Sequence, residues 1–175
     1  MILKREKSVL LIIDMQDKLE KAIPDFSTVT HTLFKAIQIA DKLDIPRLVT
    51  EHYPEGLGKT VEKLQHENTL VKYSFAAPVQ DMFTKLNDES KDTFVLGGVE
   101  SHVCVFQTAL TLLEQGKKVC LLSDGVASRD SGHRQQALNQ LHALGAWVLP
   151  LESVAFMWLE NCRHPEFKSV LALIK

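Results

Sequence analysis

The chain has 175 residues, 45% hydrophobic and 24% charged, a composition typical of one globular domain, which we expect to span residues 1–175. Its 20 Lys and Arg against 22 Asp and Glu give a formal net charge of -2, which argues against nucleic acid as a partner. The cysteines, Cys104, Cys120 and Cys162, are too few and too widely spaced for a disulfide framework or a CxxC pair. Their usage favours a reducing, cytoplasmic environment.

An apolar run, VLLII, follows the basic residues near the start of the chain and ends at Asp14. This run is short for a signal peptide and lacks a small-residue cleavage pattern, and no other apolar run approaches the roughly 20 residues needed to cross a bilayer. We therefore expect a buried first strand and no membrane partner.

Short apolar runs alternate with segments of helical periodicity along the chain. The first run, Ser8–Ile13, shows no polar alternation, as expected of a central parallel strand covered on both faces. The other predicted strands are 47–50, Thr69–Lys72, 93–96, 118–123 and 146–149. Apolar residues at helical spacing predict helices over 29–40, Val79–Leu86, 103–113 and 137–144.

This alternation of strands and helices predicts an α/β fold. Right-handed βαβ crossovers give an open, Rossmann-like parallel sheet of about six strands with helices on both faces, a three-layer α/β/α architecture. In such sheets a ligand binds beyond the carboxyl ends of the strands, near the point where the strand order reverses. The residues that follow the predicted strands are therefore the candidates for function.

Reactive side chains follow three of the predicted strands. Asp14 ends the first strand, Lys72 ends the third, and Cys104 follows the fourth through the turn GGVESH. Singly, each has an ordinary explanation: a helix cap, a solvated strand end and a small buried residue. Together, a carboxylate, an ammonium and a thiol supply what nucleophilic catalysis by cysteine requires. We expect the ammonium and a helix N-terminus near His102 to favour the thiolate, with Asp14 as proton acceptor.

Several motifs, in order, carry a resemblance to a known family: SVLLIIDMQ, VTEHYPEGLG, VKYSF, GGVESHVCVFQTALTLLEQGKKV, SDGVASRDSGHRQQAL and HPEFK. They are similar, nearly end to end, to those of the isochorismatase-like cysteine hydrolases, and most of all to the small isochorismatase domain-containing proteins. The resemblance implies a catalytic triad of Asp14, Lys72 and Cys104. Cys104 attacks a carbonyl carbon, Asp14 takes and later returns the proton, and Lys72 holds both charges in place.

The resemblance also implies a non-proline cis peptide bond shortly before the cysteine, which by position is Val99–Glu100. In the family this bond aims backbone N–H groups at the developing oxyanion, and here these groups belong to Glu100 and Cys104.

A departure from the family concerns metal binding. Relatives that hydrolyse nicotinamide hold a metal through an Asp-x-His pair just before a proline. This chain has EHYP there, with Tyr53 at the histidine position. We therefore expect neither a metal nor an organic cofactor.

The substrate is expected to be a small molecule in a small pocket. Candidate lining residues are Gln16, Tyr53, Phe75 and Phe156. Family members assemble as dimers up to rings of dimers, and the segment VAFMWL, residues 154–159, is apolar enough to pack against a partner subunit of a homo-oligomer. The alternative is that this segment packs on the chain's own sheet.

The presence of Cys104 favours an amide or related acyl substrate hydrolysed through a thioester, because true isochorismatases, which cleave a vinyl ether, can dispense with the cysteine. Two alternatives stay open. One is a catalytically silent binding or scaffold protein on the same fold. The other is redox chemistry at Cys104, for which no resolving cysteine lies nearby in sequence.

Overall fold

The computed structural model describes residues 3–67, 69–88 and 90–175. Within these ranges the chain forms one six-stranded sheet in which every strand pair is parallel. The strands are β1 (Ser8–Ile13), β2 (Arg47–His52), β3 (Thr69–Lys72), β4 (Thr93–Val99), β5 (Lys118–Ala127) and β6 (Trp147–Leu149).

The helices lie on both faces of the sheet. They are α1 (Phe26–Lys42), α2 (Pro54–Leu57), α3 (Val79–Leu86), α4 (Cys104–Glu114), α5 (Ser131–Ala143), α6 (Leu151–Leu159) and α7 (Phe167–Ile174). Short 3-10 turns cover Arg5–Lys7, Asp17–Leu19 and Glu62–Leu64. The predicted three-layer α/β/α architecture is confirmed. No helix in the described ranges is long and apolar enough to cross a membrane.

The strand order is β3-β2-β1-β4-β5-β6, so the chain winds outward on one side of β1 and then returns to start the other side at β4. The order therefore reverses between β1 and β4, where the crossovers diverge and leave a crevice. Ile13 at the end of β1 pairs with Thr50 of β2 and with Gly98 of β4, so the ends of these strands lie at the same level.

Two hydrophobic clusters cover the two faces of the sheet. Along β1, Leu10 and Ile12 contribute to one cluster, and Val9, Leu11 and Ile13 contribute to the other. Every residue of β1 is buried, which explains the continuous apolar run in the sequence.

β4 extends three residues beyond the predicted end because its two glycines lie within the strand rather than in a turn. Gly98 has φ of 127°, and a Cβ there would lie 2.0 Å from the Ile13 carbonyl oxygen. A side chain would therefore push β4 away from β1. This close approach brings the turn after β4 next to the end of β1.

The apolar segment 154–159 lies in α6 and packs mainly on the chain's own sheet. Val154, Ala155, Trp158 and Leu159 are buried in one of the two clusters, and the Trp158 indole N–H donates to the Ser8 hydroxyl at 3.0 Å. Packing on the chain's own sheet, and not on a partner subunit, therefore accounts for most of the apolar character of this segment. Phe156 is the part of it that faces outward, with 39% of its surface exposed.

Candidate active site

Asp14 lies immediately beyond β1, where the backbone turns with φ of 52°. Its side chain is buried, and each carboxylate oxygen has a different neighbour. Oδ1 accepts a hydrogen bond from the Thr50 hydroxyl at 2.6 Å, and Oδ2 lies 2.7 Å from the Lys72 ammonium. Because burial of an isolated carboxylate is costly, these two partners are what hold the charge inside the fold.

Lys72, the last residue of β3, is as deeply buried as its partner, with 1% of its side chain exposed. Its Nζ also donates to the carbonyl oxygens of Phe75 at 2.9 Å and Ser74 at 3.2 Å. The ammonium thus has two backbone acceptors in addition to its ion pair with Asp14. The same contacts fold the turn after β3 over the ammonium and fix the position of Phe75.

Cys104 is the first residue of α4 and is buried. The pKa of its thiol is raised to about 12, chiefly by burial and next by the Asp14 carboxylate, and Lys72 opposes the increase. The ammonium thus acts in the direction expected from the sequence, but it is outweighed. A thiol with so high a pKa stays protonated at neutral pH until a base removes the proton.

The turn between β4 and α4 contains the cis peptide bond Val99–Glu100. Ser101 holds this turn to the end of β5, because both its backbone N–H and its hydroxyl donate to the Ala127 carbonyl oxygen at 2.8 Å. Within residues 3–67, 69–88 and 90–175, the backbone N–H groups of Glu100 and Cys104 donate no hydrogen bond. These two donors are therefore available to a ligand.

The Glu100 side chain pairs with Arg129, which follows β5. The backbone N–H and the Nε of Arg129 both donate to Glu100 Oε2, at 2.9 and 3.0 Å. The carboxylate is largely covered whereas the guanidinium is mostly exposed. This ion pair joins the turn after β4 to the end of β5 at the rim of the site.

A cavity of about 320 Å³ opens onto these groups. Asp14 and Cys104 line its inner end, and Glu100 and Arg129 line its rim. The rest of its wall is mainly apolar and includes His52 together with Leu19, Leu57, Phe75 and Val103. A small acyl compound fits this volume, and its carbonyl group could reach the thiol.

The four residues expected to line the pocket do not all reach it. Phe75 lines the cavity. Gln16 is buried beside it, with its amide bonded to backbone groups of His52 and Gly58. Tyr53 is half exposed, its ring 6.5 Å from that of Tyr73, and Phe156 borders a separate groove on α6.

His52 and Arg129 line the cavity although the sequence analysis did not select them. His52 is the last residue of β2, and Arg129 lies two residues beyond the end of β5. The rule that directs attention to the carboxyl ends of strands could therefore have found both.

The loop that binds metal in some relatives has a different role here. Glu51 Oε1 accepts hydrogen bonds from the Thr60 backbone N–H at 2.7 Å and its hydroxyl at 2.8 Å. Tyr53 points to the surface. The donor set thus does not fit a metal, and no three His, Cys, Asp or Glu side chains in the described ranges converge to hold one.

Comparisons with known proteins agree with this architecture. The family model described as "Isochorismatase domain" matches residues 8–153. Among curated proteins, "Isochorismatase domain-containing protein 2" of Rattus norvegicus is 33% identical over 174 residues, which cover 97% of this chain and 82% of that protein.

Solved structures show the same fold. "MAR1 Ribonuclease from Caenorhabditis elegans" has a TM-score of 0.90 and 35% identity, covering 99% of this chain and 92% of that one. "YcaC from Pseudomonas aeruginosa with hexane-2,5-diol and covalent acrylamide" has a TM-score of 0.89 at 21% identity, over 98% and 91%. The YcaC gene product of Escherichia coli, described as an octameric hydrolase of unknown specificity, has a TM-score of 0.84 at 19% identity, over 98% and 95%.

Proposed function

The chain belongs to the isochorismatase family of hydrolases, and from that premise we propose that it hydrolyses a small amide or related acyl compound through a thioester on Cys104. One observation carries the proposal: a buried Asp14–Lys72 ion pair acts on the Cys104 thiol at the inner end of one cavity. This arrangement supports Cys104 as nucleophile, Asp14 as proton acceptor and Lys72 as balancing cation.

In the first half-reaction Asp14 acts as general base. It accepts the thiol proton as the Cys104 sulfur attacks the carbonyl carbon, and the carbonyl π electrons move onto the oxygen. The N–H groups of Glu100 and Cys104 bind that oxyanion. When the tetrahedral intermediate collapses, the C–N bond breaks, Asp14 returns the proton to the departing nitrogen, and a thioester remains on Cys104.

In the second half-reaction water replaces the amine. Asp14 takes a proton from the water as its oxygen adds to the thioester carbon, and collapse breaks the C–S bond. The carboxylic acid leaves, and the sulfur recovers its proton from Asp14. The raised pKa of the Cys104 thiol is consistent with this cycle, because the proton moves to Asp14 only when a carbonyl is present to accept the sulfur.

Lys72 contributes by balancing charge. While Asp14 is ionised, the ammonium at 2.7 Å offsets its charge, and while the sulfur carries negative charge the ammonium stabilises it. Its two bonds to backbone carbonyls keep it in place through both half-reactions.

The P. aeruginosa neighbour carries covalent acrylamide, a small neutral amide, which supports small amides as the first compounds to test. The E. coli neighbour is octameric, and together with the exposed Phe156 this supports a homo-oligomer. We place the protein in the cytoplasm on the cysteine usage of its sequence.

RNA is a second substrate class to consider, because the C. elegans neighbour is named a ribonuclease. The formal net charge of -2 and the pairing of Lys72 and Arg129 with carboxylates oppose it, since a phosphate backbone is held by unpaired Lys and Arg. Small amides are therefore favoured.

The test is to incubate the protein with a panel of small neutral primary amides and follow ammonia release, with intact-mass spectrometry of the quenched protein. We expect release together with an acyl adduct on the Cys104 peptide that hydroxylamine removes, as a thioester requires. In Cys104→Ala we expect turnover to fall by about 10³-fold or more.

The matched control is Cys162→Ala, which removes an exposed thiol and is expected to retain full turnover. A labelled RNA is included in the same experiment. Turnover that persists in Cys104→Ala contradicts the thioester route. If the wild type cleaves RNA and Cys104→Ala does not, RNA replaces small amides as the proposed substrate class. The silent scaffold is supported if neither the amides nor the RNA are cleaved.

A further inference from the structure

We propose that His52 selects the substrate through a hydrogen bond from its Nδ1 position, and that the site takes an uncharged acyl compound carrying one further polar atom. This inference deepens the proposed function and rests on it, since it assumes that the acyl compound binds in the cavity that contains Cys104.

The backbone of His52 is held on both sides by a single buried side chain. Gln16 Oε1 accepts from the His52 N–H at 2.8 Å, and Gln16 Nε2 donates to the His52 carbonyl oxygen at 3.0 Å. Gln16 Nε2 also donates to the Gly58 carbonyl oxygen at 2.7 Å, which ties this strand end to the loop that follows. His52 therefore enters the cavity from a fixed position.

The imidazole packs against Phe75, with ring centroids 5.4 Å apart. Phe75 is itself held by the bond between its carbonyl oxygen and Lys72. Because both rings are anchored through their backbones, the apolar wall and the imidazole keep a constant relation to the thiol.

The Nδ1 atom of His52 is buried and has no hydrogen-bond partner within the described ranges. Buried polar atoms in proteins are nearly always bonded, so this exception, on a residue that lines the cavity, supports a hydrogen bond to a bound ligand. Two other buried polar atoms share this property. Asp14 Oδ2 already has the Lys72 ammonium, and Arg47 is absent from the cavity lining and pairs with Asp41.

The charges around the cavity are already paired. Asp14 is matched by Lys72, and Glu100 is matched by Arg129. At the inner end of the cavity, a charged group would have to break the Asp14–Lys72 pair or bury an uncompensated charge. A neutral compound avoids both costs, and His52 Nδ1 then meets its one further polar atom. As imidazole either donates or accepts at this position, that atom is a carbonyl oxygen or an amide nitrogen.

The test measures alkylation of Cys104 by two reagents of the same planar shape. Iodoacetamide presents an oxygen and an NH2 group, whereas 3-iodo-2-methylpropene has CH2 and CH3 in their places. Each rate at Cys104 is divided by the rate at exposed Cys162 in the same sample, which removes the intrinsic difference between the reagents. Peptide mass spectrometry reads both sites.

We expect His52→Leu to lower the normalised iodoacetamide rate by about tenfold and to leave the hydrocarbon rate unchanged, because only iodoacetamide loses a hydrogen bond. His52→Asn, which retains a nitrogen or oxygen near the Nδ1 position, is expected to recover most of the rate. His31→Leu, which alters an exposed histidine of α1, is the matched control and is expected to have no effect.

The inference is overturned if His52→Leu slows both reagents equally or neither of them. It is also overturned if charged iodoacetate shows a higher normalised rate at Cys104 than iodoacetamide does. A second measurement, the dissociation constant of propionamide in the Cys104→Ala background, must show the same tenfold loss in His52→Leu. This measurement of binding does not require the reaction to occur. If propionamide binding depends on His52 but no thioester forms, the proposed function is refuted and the inference about His52 stands.

Discussion

Two buried cysteines, Cys120 near the start of β5 and Cys104 at the start of α4, have thiol pKa values raised chiefly by burial. Burial alone raises the pKa of Cys120 to about 12. The pKa of Cys104 is also raised to about 12, but there burial and Asp14 together raise it and Lys72 opposes both. Cys120 has only apolar neighbours in its cluster, whereas Cys104 borders a cavity.

Because the two thiols have the same raised pKa, this value alone does not distinguish the proposed nucleophile, Cys104, from Cys120. Both thiols are protonated at neutral pH. Only Cys104 has a carboxylate to receive its proton, a cation to balance the charge and an opening through which a carbonyl can arrive. In the proposed mechanism Cys104 therefore reacts only when substrate is present, whereas Cys120 has no such carboxylate, cation or opening.

Asp14→Asn is expected to have the largest effect, because it should nearly abolish hydrolysis and yet make the Cys104 thiol easier to ionise. Hydrolysis should fall by about 10²–10⁴-fold, because the general base is removed. The pKa of Cys104 should decrease at the same time, since Asp14 is one of the causes that raise it. Alkylation of Cys104 by iodoacetamide should therefore reach its plateau at a lower pH than in the wild type, although the enzyme is nearly inactive.

In the same titration the pH profile of Cys120 should not move, because no charge contributes to its pKa. Asp92→Asn is the matched control, as Asp92 forms an exposed ion pair with Lys118 and is not among the causes that raise the pKa of either thiol. If the Cys104 profile moves to higher pH in Asp14→Asn, Asp14 does not act on the thiol as described.

Lys72→Met should shift the same profile in the opposite direction. Loss of the ammonium removes the one influence that lowers the pKa of Cys104, so its alkylation should begin at higher pH. Hydrolysis should fall by about 10–10²-fold. The variant also leaves Asp14 buried without its cation, and urea unfolding should report a loss of about 3–5 kcal/mol in the free energy of unfolding.

Lys118→Met is the matched control for that loss of stability. Its ammonium pairs with Asp92 at 2.9 Å, but about half of its side chain is exposed, so the loss should stay below about 1 kcal/mol. Equal losses in the two variants would mean that the buried pair is no more important for stability than an exposed one.

The reacting groups were within reach of sequence reasoning because they follow strands. β1, β3 and α3 have the predicted bounds, and parallel strands bring their carboxyl ends to one edge of the sheet. Asp14 and Lys72 meet because they follow the ends of β1 and β3, which lie on either side of β2. The crossover rules predict the handedness of the connections but not this strand order.

The pocket was harder to predict, because it depends on which way side chains face. Gln16 was expected to touch substrate, but its amide is consumed by backbone groups of a neighbouring loop that no local pattern reveals. The prediction for β4 stops three residues short, because a pair of glycines indicates a turn. Here the glycines instead allow β4 to lie close to β1. The orientation of Gln16 and the end of β4 both depend on contacts between residues that are distant in the chain, and local sequence patterns do not reveal such contacts.

The smallest expected effect in the comparison belongs to Cys120→Ala. Removing the sulfur leaves a small gap in a close-packed cluster, so we expect a loss of about 1 kcal/mol in the free energy of unfolding, measured in urea. Turnover should stay within about twofold of the wild type, because neither the base nor the cavity contacts this residue. A loss of turnover comparable to that of Cys104→Ala, with the fold intact, would mean that the core of β5 takes part in the reaction. That result would remove the distinction between a thiol that is merely buried and one that is buried beside its base.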